Sequence, residues 1–240
     1  MELRLTSTAA AQIEADALAA ICFADGSTVP HLPGEAAALV AEARDTGEYD
    51  PKPLEILLIH RPAGLAARRL FVAGAGDRGK LDPALARKAA GTAVRELKSR
   101  KCRQIAFALE GELSGPAFVE AIAGGALLAD FETDRLKTDE KLREKHIDTV
   151  LINVPAATPE IEAAFSKGLI VGAAQNFTRN LVNEPSNLMT PPKLAEHARA
   201  LAAEHGLKLD ILDEARLKQL GAGALLGVAQ GSIQPPCLIH

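Results

Sequence analysis

Five short runs, Leu18 to Phe23, Leu54 to Ile59, Leu70 to Ala73, Ile105 to Leu109 and Val150 to Val154, are mostly apolar without alternation. A strand that reads this way is covered on both faces, so the runs predict a sheet held between helical layers. Helix-like segments separate them. Asp82 and Pro83 supply an N-cap and a first-turn proline, after which Leu85, Ala89, Ala93 and Leu97 recur on one face. Ser114-Gly115-Pro116 opens a similar segment reaching Phe131. The expected fold class is α/β.

The pattern changes after Thr158-Pro159-Glu160, which caps a long helix with Ile161, Phe165, Leu169, Ala173, Phe177 and Leu181 at intervals of four. About 23 residues at ~1.5 Å each span roughly 35 Å, enough to connect two domains. Its end is expected at Glu184, because the residue before a proline avoids helical geometry. The expected division is residues 1–157 as an α/β domain, 158–182 as a connecting helix and 183–240 as the start of a second domain. In that last part Thr190, Pro191 and Pro192 open a helix with Leu194, Ala198, Leu201 and Ala202 as its buried stripe, closed by Gly206. Leu207, Leu209 and Ile211 alternate with Lys208 and Asp210, as in a half-buried strand. Asp213 caps a short helix ending at Gly221, and Ala224 to Ala229 and Leu238-Ile239 read as strands.

Basic and acidic residues number 27 and 31, a net charge of −4, and no long basic block occurs, which disfavours nucleic acid as a partner. Cys22, Cys102 and Cys237 are too scattered for a zinc site or a disulfide framework and read as small buried thiols of a reducing compartment. No basic-then-apolar leader and no run approaching 18 apolar residues occurs, so the expectation is a cytoplasmic protein without membrane association.

Candidate sites weaken on inspection. Gly74-Ala75-Gly76-Asp77-Arg78-Gly79 has dinucleotide-fingerprint spacing after a strand, but Lys80 and Leu81 separate it from the helix cap at Asp82. Neither Glu96 nor Glu110 fits the expected ribose-binding acid. His197 and His205 lie two helical turns apart, too far to share one ion, and His60 reads as a loop histidine. Gly111-Glu112-Leu113-Ser114-Gly115 places its serine one position off a nucleophile elbow. Asp210, Asp213 and Glu214 fit a strand face and a helix cap better than a metal site, and the mixed charges from Asp130 to Lys145 read as a solvated face. No catalytic or metal-binding residue is assigned within the chain.

Three ordered blocks then carry a resemblance. Phe131-Glu132-Thr133-Asp134-Arg135-Leu136-Lys137-Thr138, Arg179-Asn180-Leu181-Val182-Asn183-Glu184-Pro185-Ser186-Asn187 and Leu220-Gly221-Ala222-Gly223-Ala224-Leu225-Leu226-Gly227-Val228-Ala229-Gln230-Gly231-Ser232 are similar to segments of the leucine aminopeptidase (cytosol aminopeptidase, leucyl aminopeptidase) family. Leu136, Asn180 and Ala222 depart from its usual Tyr, Asp and Met. The resemblance implies a macro-domain-like N-terminal α/β domain, a connecting helix and the beginning of an α/β metallopeptidase domain. It also implies a homo-hexamer that removes N-terminal amino acids from peptides with two divalent metal ions, zinc or manganese. One ion would polarise the scissile carbonyl while the pair holds a hydroxide nucleophile. The family's ligand motifs, Val-Gly-Lys-Gly and Asn-Thr-Asp-Ala-Glu-Gly-Arg, do not occur between Met1 and His240, so no ligand or catalytic position carries over.

The expectation is therefore an N-terminal portion serving assembly and scaffolding, itself inactive and without bound metal. Residues 181 to 240 provide few elements, with a final strand left at an open edge. Withholding ~1,000 Å² of apolar cover would remove roughly 25 kcal/mol of burial, more than the ~5–15 kcal/mol margin of a domain. The alternative is a macro-like module binding a nucleotide or ADP-ribose-type ligand between the loops after Ala73 and Leu109. A third is a module serving assembly alone.

Overall fold

A computed structural model describes residues 1–132 and 145–240. By packing, the chain divides into Met1–Asn176 and Phe177–His240.

The first unit is built on a seven-stranded sheet. Its strands are β1 (Glu2–Thr6), β2 (Ala17–Phe23), β3 (Thr28–Val29), β4 (Ile56–His60), β5 (Arg69–Gly76), β6 (Gln104–Ala108) and β7 (Thr149–Asn153). The order is β1-β7-β6-β2-β5-β4, with β3 beside β2. Every neighbour from β1 to β5 runs parallel, whereas β4 and β3 pair antiparallel with β5 and β2. The α/β expectation holds.

Strand β2 shows why the apolar runs lack alternation. All seven of its residues are buried. Ala17, Ala19, Ile21 and Phe23 meet the helices α2 (Pro83–Ser99) and α3 (Pro116–Ala129), while Ala20 and Cys22 meet α1 (Gly34–Asp45) and Tyr49 on the other face. Successive strand residues point to opposite faces, so both sets must be apolar. Asp82 caps α2 as expected, its carboxylate accepting from Leu85 N at 2.7 Å.

Two strands and a helix lay outside the sequence expectation. Strand β1 does alternate, Leu3 and Leu5 packing against the core between exposed Glu2 and Arg4. Among the described residues it lies at the sheet's edge, with β7 as its one neighbour. Helix α1 is alanine-rich and carries Ala36, Val40 and Ala43 inward. Leu54 sits outside β4, at φ 68, where its N–H donates to Gly74 O at 2.9 Å.

Helix α4 (Pro159–Asn183) has the expected length, but its buried face is Ile161, Ala164, Gly168 and Gly172. Residues four apart advance 400° around a helix of 3.6 residues per turn. The expected row therefore drifts, and Ala173 and Phe177 emerge exposed. The sequence division treats α4 as a separate connector; in packing, its residues as far as Asn176 belong with the first unit.

The second unit holds α5 (Pro191–His205), β8 (Ile211–Leu212), α6 (Glu214–Gln219), α7 (Gly223–Ala229) and β9 (Leu238–Ile239). Gly206 closes α5 in the left-handed conformation at φ 65, as a residue without a Cβ readily does. Three expectations for this unit are corrected. Ala224 to Ala229 is the helix α7, not a strand; a short apolar run rich in Ala and Leu has no strand preference of its own. The alternation from Leu207 makes a strand only at Ile211–Leu212, where β9 pairs with it, while Leu207 N–H is used to close α5 on Ala202 O. Of the expected α5 stripe, Ala202 is buried with Ala195, but Leu194 and Leu201 are exposed.

Candidate functional site

In an open α/β sheet, ligands bind outside the carboxyl ends of the strands, where the connections diverge. Here that place is the end of β2, flanked by β5 on one side and β6 on the other. The loops beyond these three strands meet at Arg78. Its guanidinium lies 3.9 Å over the Phe23 ring and donates to Ser27 Oγ at 2.8 Å and Glu112 Oε1 at 3.2 Å. Hydrogen bonds from the Ser27 hydroxyl and amide hold the Asp25 carboxyl below its ordinary pKa. Glu110 Oε2 accepts from His31 N at 3.1 Å. The node is not legible in the sequence: Arg78 and Glu112 fall in two separate loop motifs, 34 positions apart, and nothing in either motif announces that they meet.

The glycine motif beside it is turned toward the protein's own backbone. A Cβ at Gly74 would lie 2.1 Å from Lys52 O. Gly74 N donates to Glu55 O and Gly76 N to Pro51 O, each at 2.7 Å. Gly79 N donates to Asp77 Oδ1 at 2.9 Å. Amides committed to these partners are not aimed at a phosphate. The glycines admit the Pro51–Glu55 segment against β5, which explains their spacing without a dinucleotide.

The other sequence candidates are dispersed. His60 ends β4 exposed, and His146 pairs with Asp148 at 3.0 Å. His197 meets Phe177 edge-on at a centroid distance of 6.3 Å, while His205 lies exposed at the end of α5. Ser114 Oγ donates to Gly111 O at 2.7 Å inside a tight turn. Cys22 and Cys102 are fully buried, and burial pushes both thiols up.

The acidic trio of the second unit is committed to local contacts. Asp210 makes a two-pronged pair with Arg216 at 2.6 and 2.8 Å. Asp213 Oδ1 caps α6 by accepting from Arg216 N at 2.9 Å, and Glu214 pairs with Lys218 at 2.7 Å. Among the described residues no three His, Cys, Asp or Glu side chains gather as a metal-binding group. These residues do not fit a pair of divalent ions. The second unit does carry two hollows that share Pro235 and Pro236 in their walls. One, of about 440 Å³, is lined by Lys218, Gln230 and Ile233; the other, of about 290 Å³, by Arg199, Ile211 and Cys237.

The second and third of the sequence blocks that carried the resemblance occupy the end of α4 with the turn into α5, and the stretch through α7. Pro185 O accepts from Leu188 N at 2.8 Å and Met189 N at 2.9 Å, forming the turn between the two helices. Positions 133–138 of the first block, and residues 133–144 of the charged run from Asp130, lie outside the described residues. A parallel α/β unit followed by these ordered blocks defines the class as that of the two-domain peptidases whose profiles match it. Residues 23–140 match the cytosol aminopeptidase family N-terminal domain, and residues 176–240 match the catalytic domain of the same family. The chain belongs to the cytosol aminopeptidase family.

A probable cytosol aminopeptidase of Solibacter usitatus is 43% identical over 242 residues, covering 100% of this chain and 48% of the relative. One of Acidobacterium capsulatum is 36% identical, covering 100% and 50%. Among solved structures, a mutant tomato leucine aminopeptidase superimposes with a TM-score of 0.82 at 25% identity, over 100% of this chain and 50% of that one. The bottromycin maturation enzyme BotP in complex with Mn gives 0.73 at 26% identity, over 94% and 44%. The chain thus spans about half the length of the curated relatives it matches. Among the described residues no helix is long and apolar enough to cross a membrane.

Proposed function

We propose that this chain is the N-terminal portion of a metallo-aminopeptidase that releases N-terminal amino acids from peptides in the cytoplasm. Its two divalent ions and reacting groups are supplied by the part of the catalytic domain beyond the matched segment, and the present residues scaffold that domain and a homo-hexameric assembly. The carrying observation is an alignment spanning all of this chain but 48% of a probable cytosol aminopeptidase. The catalytic-domain match beginning at residue 176 and the manganese in BotP support the same reading. Asp210, Asp213 and Glu214 agree with it, since each is engaged by a neighbouring cation or amide.

The test is hydrolysis of leucine p-nitroanilide with manganese, by the 240-residue chain and by a longer form carrying the rest of the catalytic domain. The longer form is expected to release nitroaniline and the shorter form to stay at background. Metal-dependent turnover by the 240-residue chain would overturn the placement of the chemistry.

A further inference from the structure

Between α2 and the sheet of the first unit, alanine faces alanine. On α2, Ala86, Ala89, Ala90 and Ala93 are buried toward the strands. Opposite them, Ala19 lies in the middle of the central strand β2 and Ala73 lies on its neighbour β5. Packed layers fill the space between them by setting large side chains against small ones. Small against small leaves a gap wherever bulkier neighbours hold the layers apart. Two such neighbours are present. Ala19 is in register with Phe71 on β5 and Phe107 on β6, and all three belong to the core on the α2 side. Ala19 is therefore the floor of a notch between two phenylalanine rings, roofed by the alanines of α2. A cavity of about 20 Å³ lies there, and every side chain in its wall is hydrocarbon, Ile21, Leu113 and Ile122 among them. Residual exposure marks the same place. Ala19, Phe107 and Ala89 each keep 6%, whereas Leu18, Ile105 and Val94 keep none. With a strand on each side and α2 above, the area that Ala19 retains faces inward.

We propose that this cavity is a binding site for one small apolar molecule, of the size of xenon or a short hydrocarbon. Its volume exceeds the ~10–15 Å³ that a water needs, but a water also needs roughly two to four polar partners. The walls supply none. The backbone groups of β2 at this point are taken up by its ladders with β5 and β6. The cavity is thus dry, and its lining lacks partner atoms on one side. An apolar guest restores those contacts at no cost in hydrogen bonds. The site lies within the first unit's core and is independent of the peptidase chemistry proposed above.

Xenon titrated under pressure onto the methyl-labelled 240-residue chain, followed by NMR, tests this. Saturable shifts are expected at the methyls of Ala19, Ala73, Ala89 and Ala90, and not at Ala36 or Ala43 on the opposite side of the sheet. Ala19→Val places its added methyls in the notch and should abolish the xenon shifts, with the melting temperature held or raised. Ala73→Val fills the same space from the neighbouring strand and should act alike. Ala36→Val, on α1 outside the cavity wall, should leave the xenon response in place. Absence of saturable shifts, shifts spread over both sides of the sheet, or magnetisation transfer from a bound water to the Ala19 methyl would each overturn the proposal. So would two filling variants that both melt lower, as overpacking a full core does, or that both still respond to xenon.

Discussion

Gly168 approaches Glu120 so closely that a Cβ at position 168 would lie 2.6 Å from the Glu120 carbonyl oxygen. The contact continues at Gly172, where a Cβ would meet Leu127 at 3.0 Å, and Asn176 Nδ2 donates to Leu127 O at 2.9 Å. Glycine here lets α4 lie against the backbone of α3. Gly168→Val should cost about 1–3 kcal/mol through overpacking, despite the ~1 kcal/mol that glycine forfeits as a helix former. Urea unfolding followed by circular dichroism would read this, and an unchanged midpoint would show that the helices separate freely.

Lys98 is buried at the end of α2, its ammonium 2.9 Å from Asp130 Oδ1 and paired also with Glu132. Burial works against its charge, but hydrogen bonds to Glu132 and Asp130 outweigh that and raise its pKa above the ordinary lysine value. A raised folded pKa contributes stability below the unfolded value of about 10.4 and loses it as pH rises through the folded one. Lys98→Met should therefore melt lower than wild type between pH 7 and 9, by about 1–3 kcal/mol for a charge-assisted contact. The gap should begin to narrow above about pH 10.4 and be lost as pH passes the raised folded value. A gap constant to pH 11.5 would mean that packing of the methylenes, not the charge, is what Lys98 contributes.

Thiol accessibility should separate the three cysteines. Cys22 and Cys102 are buried and shifted upward, whereas Cys237 is half-buried with Sγ 3.4 Å from Pro191 O. Thiolates are the reacting species, so Ellman's reagent should modify one thiol in the folded chain and three in denaturant. Rapid reaction of all three under native conditions would contradict the described core.

Leu97 closes the inner face of α2 with no exposed surface. Leu97→Ala should destabilise the first unit by about 2–5 kcal/mol, the cost of lost burial plus the cavity left. Thermal melting checks it, and a loss under about 1 kcal/mol would require the neighbouring alanines of α2 to collapse into the space.

Elements whose sequence encodes their own boundaries were legible. Asp82 before Pro83 marked α2, and Asp213 marked α6, because capping is a contact within one turn. Unbroken apolar runs such as Ala17–Phe23 announced a two-sided sheet. What depended on partners distant in sequence was not legible. The six residues from Ala224 have an apolar pattern compatible with either strand or helix, and β8 is only as long as its contact with β9. The glycines at 74 and 76 were separable from a phosphate loop by their distance from the next cap, but their role required Pro51 to Glu55 to be seen lying against them. The Arg78 node depends likewise on three loops meeting at the end of the sheet.

The outermost strand of the first unit has a consequence for biosynthesis. Thr6 of β1 pairs in parallel with Asn153 of β7, 147 positions later, and Asn153 Nδ2 fastens the join by donating to Thr8 O at 2.6 Å. At a ribosomal rate of ~5–20 residues per second, β1 waits roughly 7–30 s for that partner to be made. Strand β1 thus docks only after all the strands between it and β7 have been made. Until then its hydrogen-bonding groups are open to a chaperone or to a neighbouring nascent chain.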